Sequence, residues 1–167
     1  KNGEIVMKDQ NNYDAQAEIM WCSSISHNNL TECGRGKDFS VHKFGHALSA
    51  VFDYTHGASL AAVWGAWAEY LYKDAPDRFA KFARKVWNID DPDDLSAAKK
   101  GIDATVAYFK SLGMPVSLKE IGPDVEWTDE IIELLAMKAT MQDTVKLSRI
   151  RPIGAKEAAE IYKLALR

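Results

Sequence analysis

Basic residues are not in excess in this chain: 21 Lys and Arg against 24 Asp and Glu leave a net charge of -3. A nucleic-acid surface needs a clustered positive surplus, so no nucleic-acid partner is expected. Long apolar runs are also missing. No segment approaches the roughly 18 consecutive apolar residues of a membrane-spanning helix, and no membrane association is expected. Cysteine is scarce: Cys22 and Cys33 make neither a disulfide framework nor a metal-knuckle spacing. Two reduced thiols suit a cytoplasmic protein. The first residues, "KNGEIVMKDQNN", are polar, lack a signal-peptide core and do not begin with Met. The expectation is a chain that starts inside a longer protein. Strand-like alternation is nearly absent, and there is no repeat or low-complexity linker. A dinucleotide fold needs a Gly-rich turn between a strand and a helix. The one candidate, "GRG" at 34–36, follows a helix and reads as a helix terminus and loop. Nucleotide chemistry, if any, would have its binding site mostly elsewhere.

Apolar residues are plentiful, at 47% of 167, with five Trp, six Tyr and six Phe. That is core material for one domain of ordinary size. The periodicity is helical throughout. A first helix runs from a cap at Asn11 or Asn12 to Gly34, with Tyr13, Ala17, Met20, Trp21 and Ile25 at helical spacing. A second begins at Ser40, a good N-cap, with Phe44, Leu48 and Val51 on one face. After the turn "DYTHG", the stretch "ASLAAVWGAWAEYLYK" is apolar nearly all round and reads as a buried central helix. "DRFAKFARKVW" is amphipathic. "DPDDLSAAKKGIDATVAYFKSLG" has an acidic first turn and Gly113 at its C-cap. "MPVSLKEIG" reads as a loop with a short turn. "TDEIIELLAMKAT" and "GAKEAAEIYKLALR" close the chain as two more helices. The fold class is all-α: one domain over 1–167, of about seven helices.

The chain has four histidines, and three of them, His42, His46 and His56, fall within "SVHKFGHALSAVFDYTHGASLA". His42 and His46, four apart on a helix, point about 40° apart with Cβ atoms about 6 Å from each other. If the helix ends near Ala50, the chain has travelled roughly 12 Å from His42. The residues from Val51 to His56 can span about 20 Å. A reversal through "FDYT" therefore brings His56 back beside His42, and Gly57 leaves room for close approach. Neutral imidazoles suit Zn²⁺ and Fe²⁺, but two are too few for a tight site, and one or two further ligands, carboxylates first, are needed. Asp38 and Asp53 are the carboxylates nearest in sequence, although Asp53 also suits a turn cap. The same histidines are compatible with a structural role. His27 reads as a helix-end residue, and Trp21, Trp64 and Trp67 as core. The run 90–95, "DDPDDL", reads as a solvated helix start rather than a calcium loop.

The segment "HKFGHALSAVFDYTHGASLAAV" resembles the C-terminal helical domain of the iron-containing (group III) alcohol dehydrogenases, in their butanol dehydrogenase and NADPH-dependent aldehyde reductase branch. "YDAQAEIMWCSSISHNNLTECG", "RFAKFARKVWNI", "GIDATVAYFKSLGMPVSLKEIG" and "AAEIYKLAL" resemble the family's flanking helices in order. The resemblance implies an N-terminal nucleotide-binding domain that is absent from these residues, and a metal, Fe²⁺ or Zn²⁺, in the cleft. By it, His42 and His56 are metal ligands, and His46 is a catalytic group near the nicotinamide and substrate. An Asp-x-x-x-His pair before Lys1 supplies the other ligands. It implies NAD(P)H as cofactor, a small alcohol or aldehyde as substrate, a homodimer, and no activity in these 167 residues alone. Gly65 departs from the Pro of many relatives and is expected to loosen its helix. Two further readings stay open: an all-α metal-dependent hydrolase using His42 and His56 with local carboxylates, and a non-catalytic helical interaction module.

Overall fold

The computed structural model describes residues 1–34 and 36–167, so Arg35, within the expected "GRG" loop, lies outside the described residues. Among those described there are nine α-helices and no strand, only an isolated antiparallel bridge between Leu147 and Ile153. The chain divides into two compact units, Lys1–Lys37 and Asp38–Arg167.

The first unit holds α1 (Asn2–Lys8), α2 (Tyr13–His27) and a 3₁₀ turn at Leu30–Glu32. Helix α1 was not expected from its polar sequence. Asn12 caps α2, its side chain accepting from the Ala15 amide at 3.0 Å. The helix does not run on to Gly34. Asn29 takes a left-handed conformation, φ 68°, and the Asn28 side chain accepts from the Leu30 amide. Two adjacent asparagines thus offer the backbone local partners that compete with the helical ladder. The expected core stripe is not buried either. Ala15 is the buried residue of α2, whereas Trp21 is 64% exposed and Met20 68%. Trp21 is therefore a surface residue, contrary to the sequence reading. Helical spacing says which residues share a face, not whether anything covers it.

The second unit is built round α4 (His56–Leu71), which touches α3 (Ser40–Phe52), α6 (Asp94–Ser111), the one-turn α7 (Leu118–Ile121) and α9 (Ala155–Leu164). Helix α5 (Pro76–Val86) packs on α6, and α8 (Asp129–Ala139) on α3 and α9. Phe44, Leu48, Val63, Leu71, Ile102, Leu135, Ile161 and Tyr162 form one buried core. The expected helices from Ser40 onward are all present, with α7 the short turn within "MPVSLKEIG". Gly65 does not loosen α4, which runs unbroken through it. A Cβ there would lie 2.8 Å from the Val106 side chain, so the glycine lets α6 approach closely.

Candidate metal centre

Helix α3 turns two faces in two directions. At 100° per residue, Phe44, Ala47 and Leu48 cluster on the face opposite His42 and His46. The first set is buried, while His46 is exposed and His42 half-buried. Core packing on one side thus fixes where the histidines point on the other. The chain then reverses at Asp53, the C-cap of α3, in a left-handed conformation with φ 58°. That reversal sets His56 as the first residue of α4, the return that the sequence reading required.

The three rings meet. Nδ1 of His42 lies 3.0 Å from Nε2 of His56. Ring centroids are 5.0 Å apart for His42–His56 and for His46–His56, and 6.1 Å for His42–His46. One nitrogen from each ring falls within 4.8 Å of the others. Two ring nitrogens facing each other at 3.0 Å repel unless a proton or a cation lies between them. Two imidazoles on a tetrahedral Zn²⁺ would have their nitrogens about 3.3 Å apart, given Zn–N bonds of about 2.05 Å. The His42–His56 pair therefore has nearly the spacing of two imidazoles on one borderline divalent cation. Partial burial, followed by the charges of His56 and Lys43, lowers the pKa of His46 below its ordinary value. The neutral ring, with a lone pair for a proton or a cation, is favoured.

The carboxylates do not join. Among the described residues, neither Asp38 nor Asp53 belongs to the cluster. Asp38 is occupied otherwise. Its Oδ1 accepts from the amide and the hydroxyl of Ser40, at 2.9 and 2.6 Å. Its Oδ2 accepts from the Ser148 hydroxyl and the Arg149 amide, at 3.0 and 2.8 Å. Burial raises its pKa, but these hydrogen bonds outweigh it and the net shift is downward. Asp38, not Ser40, thus serves the start of α3. Ser40 is the first helical residue rather than its cap.

Beside the cluster lies an apolar cavity of about 520 Å³, bordered by His42, Gly57, Leu60, Trp64, Trp67 and Phe109 among others. The two tryptophans pack partly on the core, as expected, and partly wall this cavity. Phe39 stacks on His42 with centroids 4.0 Å apart and planes 9° from parallel. Neither the Phe39 stack nor the Phe109 wall was foreseen. Phe39, three residues before His42, could have been noticed as a same-face neighbour; nothing local points from Phe109 to this site. His27 ends α2, its Nδ1 lying 3.3 Å from the Ser23 carbonyl oxygen, as its helix-end reading implied. Cys22 and Cys33 are free and exposed, and among the described residues no helix is long and apolar enough to cross a membrane.

Known proteins resemble this chain in sequence and fold. The C-terminal model of the Fe-containing alcohol dehydrogenase family matches residues 1–166. NADH-dependent butanol dehydrogenase A of Clostridium acetobutylicum is 36% identical over 98% of this chain and 41% of its own length. The NADPH-dependent aldehyde reductase YqhD of Escherichia coli is 31% identical over 74% of this chain and 32% of its own. The crystal structure of NADH-dependent butanol dehydrogenase A from Thermotoga maritima superposes with a TM-score of 0.88 at 31% identity, over 98% of this chain and 42% of that one. The chain therefore spans about two fifths of the length of such relatives. With an all-helical fold and a match along its whole length, the chain belongs to the Fe-containing alcohol dehydrogenase family, whose C-terminal part it represents.

Proposed function

We propose that these residues form the metal-binding helical part of an NAD(P)-dependent alcohol dehydrogenase or aldehyde reductase acting on a primary alcohol or aldehyde. The observation that carries this reading is the convergence of His42, His46 and His56, from two helices, on one point. His42 and His56, whose nitrogens are in direct contact, are the metal ligands, and the remaining ligands come from residues outside these 167. Fe²⁺ or Zn²⁺ held there would supply Lewis acidity toward the substrate oxygen. NAD(P)H, bound mainly by a nucleotide-binding domain outside these residues, would supply or accept hydride.

The chain's own groups do the rest. Phe39 fixes the plane of the His42 ring by stacking on it. Leu60, Trp64 and Phe109 make the cavity wall beside His42 apolar. His46, one helical turn from His42, would take the hydroxyl proton in oxidation or return it in reduction. The free thiols of Cys22 and Cys33 suit the cytoplasm, and the assembly we propose is a homodimer. By itself the 167-residue chain, whose cluster holds imidazoles and, among the described residues, no carboxylate, should hold metal weakly and show no dehydrogenase activity. The hydrolase alternative loses its support because Asp38 and Asp53 stay outside the cluster. An interaction module gives no reason for three rings to converge.

The test uses the full-length protein. Metal content by elemental analysis and NAD(P)H-linked aldehyde reduction are measured for the parent, His42→Ala and His56→Ala. Loss of metal and activity together in both variants is expected. Parental metal content in either variant would remove that residue from the ligand set.

A further inference from the structure

We propose that Asp38 is a positioning residue for the metal centre, clamping the first turn of α3 so that His42 is presented at a fixed place. The proposal rests on the reading of His42 as a ligand. Helix α3 has no side-chain cap of its own, with Phe39 at the N-cap position. A first helical turn without partners for its amides frays. Here the turn carries both Phe39 and His42, so fraying there would move a ligand and the ring stacked on it.

Asp38 opposes that with both oxygens. Oδ1 holds the Ser40 amide and hydroxyl on the α3 side. Oδ2 holds the Ser148 hydroxyl and the Arg149 amide on the other. The 148–149 turn is itself anchored. Leu147 and Ile153 flank it, bonded to each other through both amides at 2.9 Å, and both side chains are buried. One carboxylate therefore ties the free end of the ligand-bearing helix to a point fixed in the core, 110 residues away in sequence. All four of its bonds run from donors, so a carboxylate suits the position and an amide does not. Asp38 borders the same cavity as His42 without belonging to the histidine cluster. Its effect on the metal would pass through the backbone of α3.

Partners that orient a ligand without touching the metal are typically worth a 10- to 100-fold change in affinity. The test compares Asp38→Ala, Asp38→Asn, His42→Ala and the remote Gly101→Ala in the full-length protein. Affinity for Zn²⁺ is measured by chelator competition, and hydrogen exchange of residues 40–43 in the metal-free protein. Expected for Asp38→Ala are Zn²⁺ binding roughly 10- to 100-fold weaker and faster exchange in that turn. Asp38→Asn, which keeps an acceptor for Ser40 but turns a donor toward Arg149, should fall between Asp38→Ala and the parent. Gly101→Ala, destabilised far from the clamp, should bind Zn²⁺ as the parent does. Parental Zn²⁺ affinity in Asp38→Ala overturns the proposal, as does equal weakening in Gly101→Ala, which would make the effect one of global stability. If Asp38→Ala does not fold, Asp38→Asn decides by the same two readouts. If His42→Ala also keeps its Zn²⁺, the metal reading itself has failed and takes the proposal with it. If His42→Ala loses Zn²⁺ and Asp38→Ala does not, the proposal alone fails.

Discussion

Tyr162 donates its phenol hydrogen to the Phe44 carbonyl oxygen at 2.8 Å, with the two rings edge to face, centroids 5.2 Å apart. Both side chains are fully buried. Phe44 sits between His42 and His46 in sequence but on the opposite side of α3. The C-terminal helix thus holds the core face of the helix whose other face carries the histidines. Burial of the Tyr162 ring raises its pKa well above the ordinary value, so the phenol stays protonated and remains a donor.

Tyr162→Phe should therefore cost about 1 kcal/mol, the usual net worth of one hydrogen bond in a mutational series. The Phe44 carbonyl keeps its helical environment, and the ring keeps its packing. Tyr162→Ala should cost about 3–5 kcal/mol, because it also empties a large core site. Urea unfolding followed by circular dichroism measures both. Equal losses for the two variants would mean that the ring contributes nothing beyond its hydroxyl.

Helices α5 and α6 cross at Gly101. A Cβ added there would lie 2.5 Å from the Ala83 Cβ and 3.0 Å from its Cα. Alanine gains roughly 1 kcal/mol over glycine in helix propensity. Overpacking a tight contact costs about 1–3 kcal/mol, and the obstructing atoms belong to the backbone and its first carbon, which have no rotamer to escape into. The clash should win at Gly101. At Gly65 the obstacle is a Val106 methyl, which has some freedom to turn away. Gly101→Ala should accordingly be the more destabilising of the two in thermal melts, and the reverse order would show that α5 shifts more readily than a valine turns.

The start of α6 carries a charge-dependent contribution. Asp91 accepts from Lys100, at 2.5 Å, from the Ser96 hydroxyl and from the Asp93 amide. Chiefly through the hydrogen bond from Lys100, its pKa falls to about 2. An unfolded aspartate titrates near 3.9. A lowered folded pKa stabilises the fold above the unfolded value, and the contribution is lost as pH falls from about 4 toward 2. Asp91→Asn should therefore be less stable than the parent at pH 6, and the gap should close as pH approaches 2. Chemical denaturation across that range reads it, and a gap independent of pH would assign the effect to packing.

How much of this was legible depended on what each residue's role rests on. The helices from Ser40 onward announced themselves because their apolar residues recur at helical spacing and face a core. Spacing also sufficed to bring His56 back to His42, since chain geometry alone limits so short a return. In α2 the same kind of spacing misled. Tyr13, Met20 and Trp21 share a pattern but not a covering surface, so they are exposed. The role of Asp38 is illegible for a different reason. Its sequence neighbourhood shows only that it is one of the carboxylates nearest the histidines, whereas its partners at Ser148 and Arg149 lie over a hundred residues away. No local pattern reports a contact of that range.

The roles of the three histidines can be separated by experiment, although one nitrogen from each lies within 4.8 Å of the others. His42 and His56 contact each other directly, and in our proposal each gives the metal a ligand. His46 sits one turn along α3 with a lowered pKa, its ring favoured in the neutral form. Replacing His46 by Ala in the full-length protein should leave the metal bound. Turnover should fall by about 10²- to 10⁴-fold, the range for loss of a positioned acid–base group. His42→Ala and His56→Ala should instead lose activity in step with metal. Elemental analysis beside steady-state rates distinguishes these patterns. A His46→Ala protein that loses its metal as fully as the other two would make His46 a third ligand. Three variants that all keep metal and activity would show the cluster to be a packing feature of the α3–α4 turn.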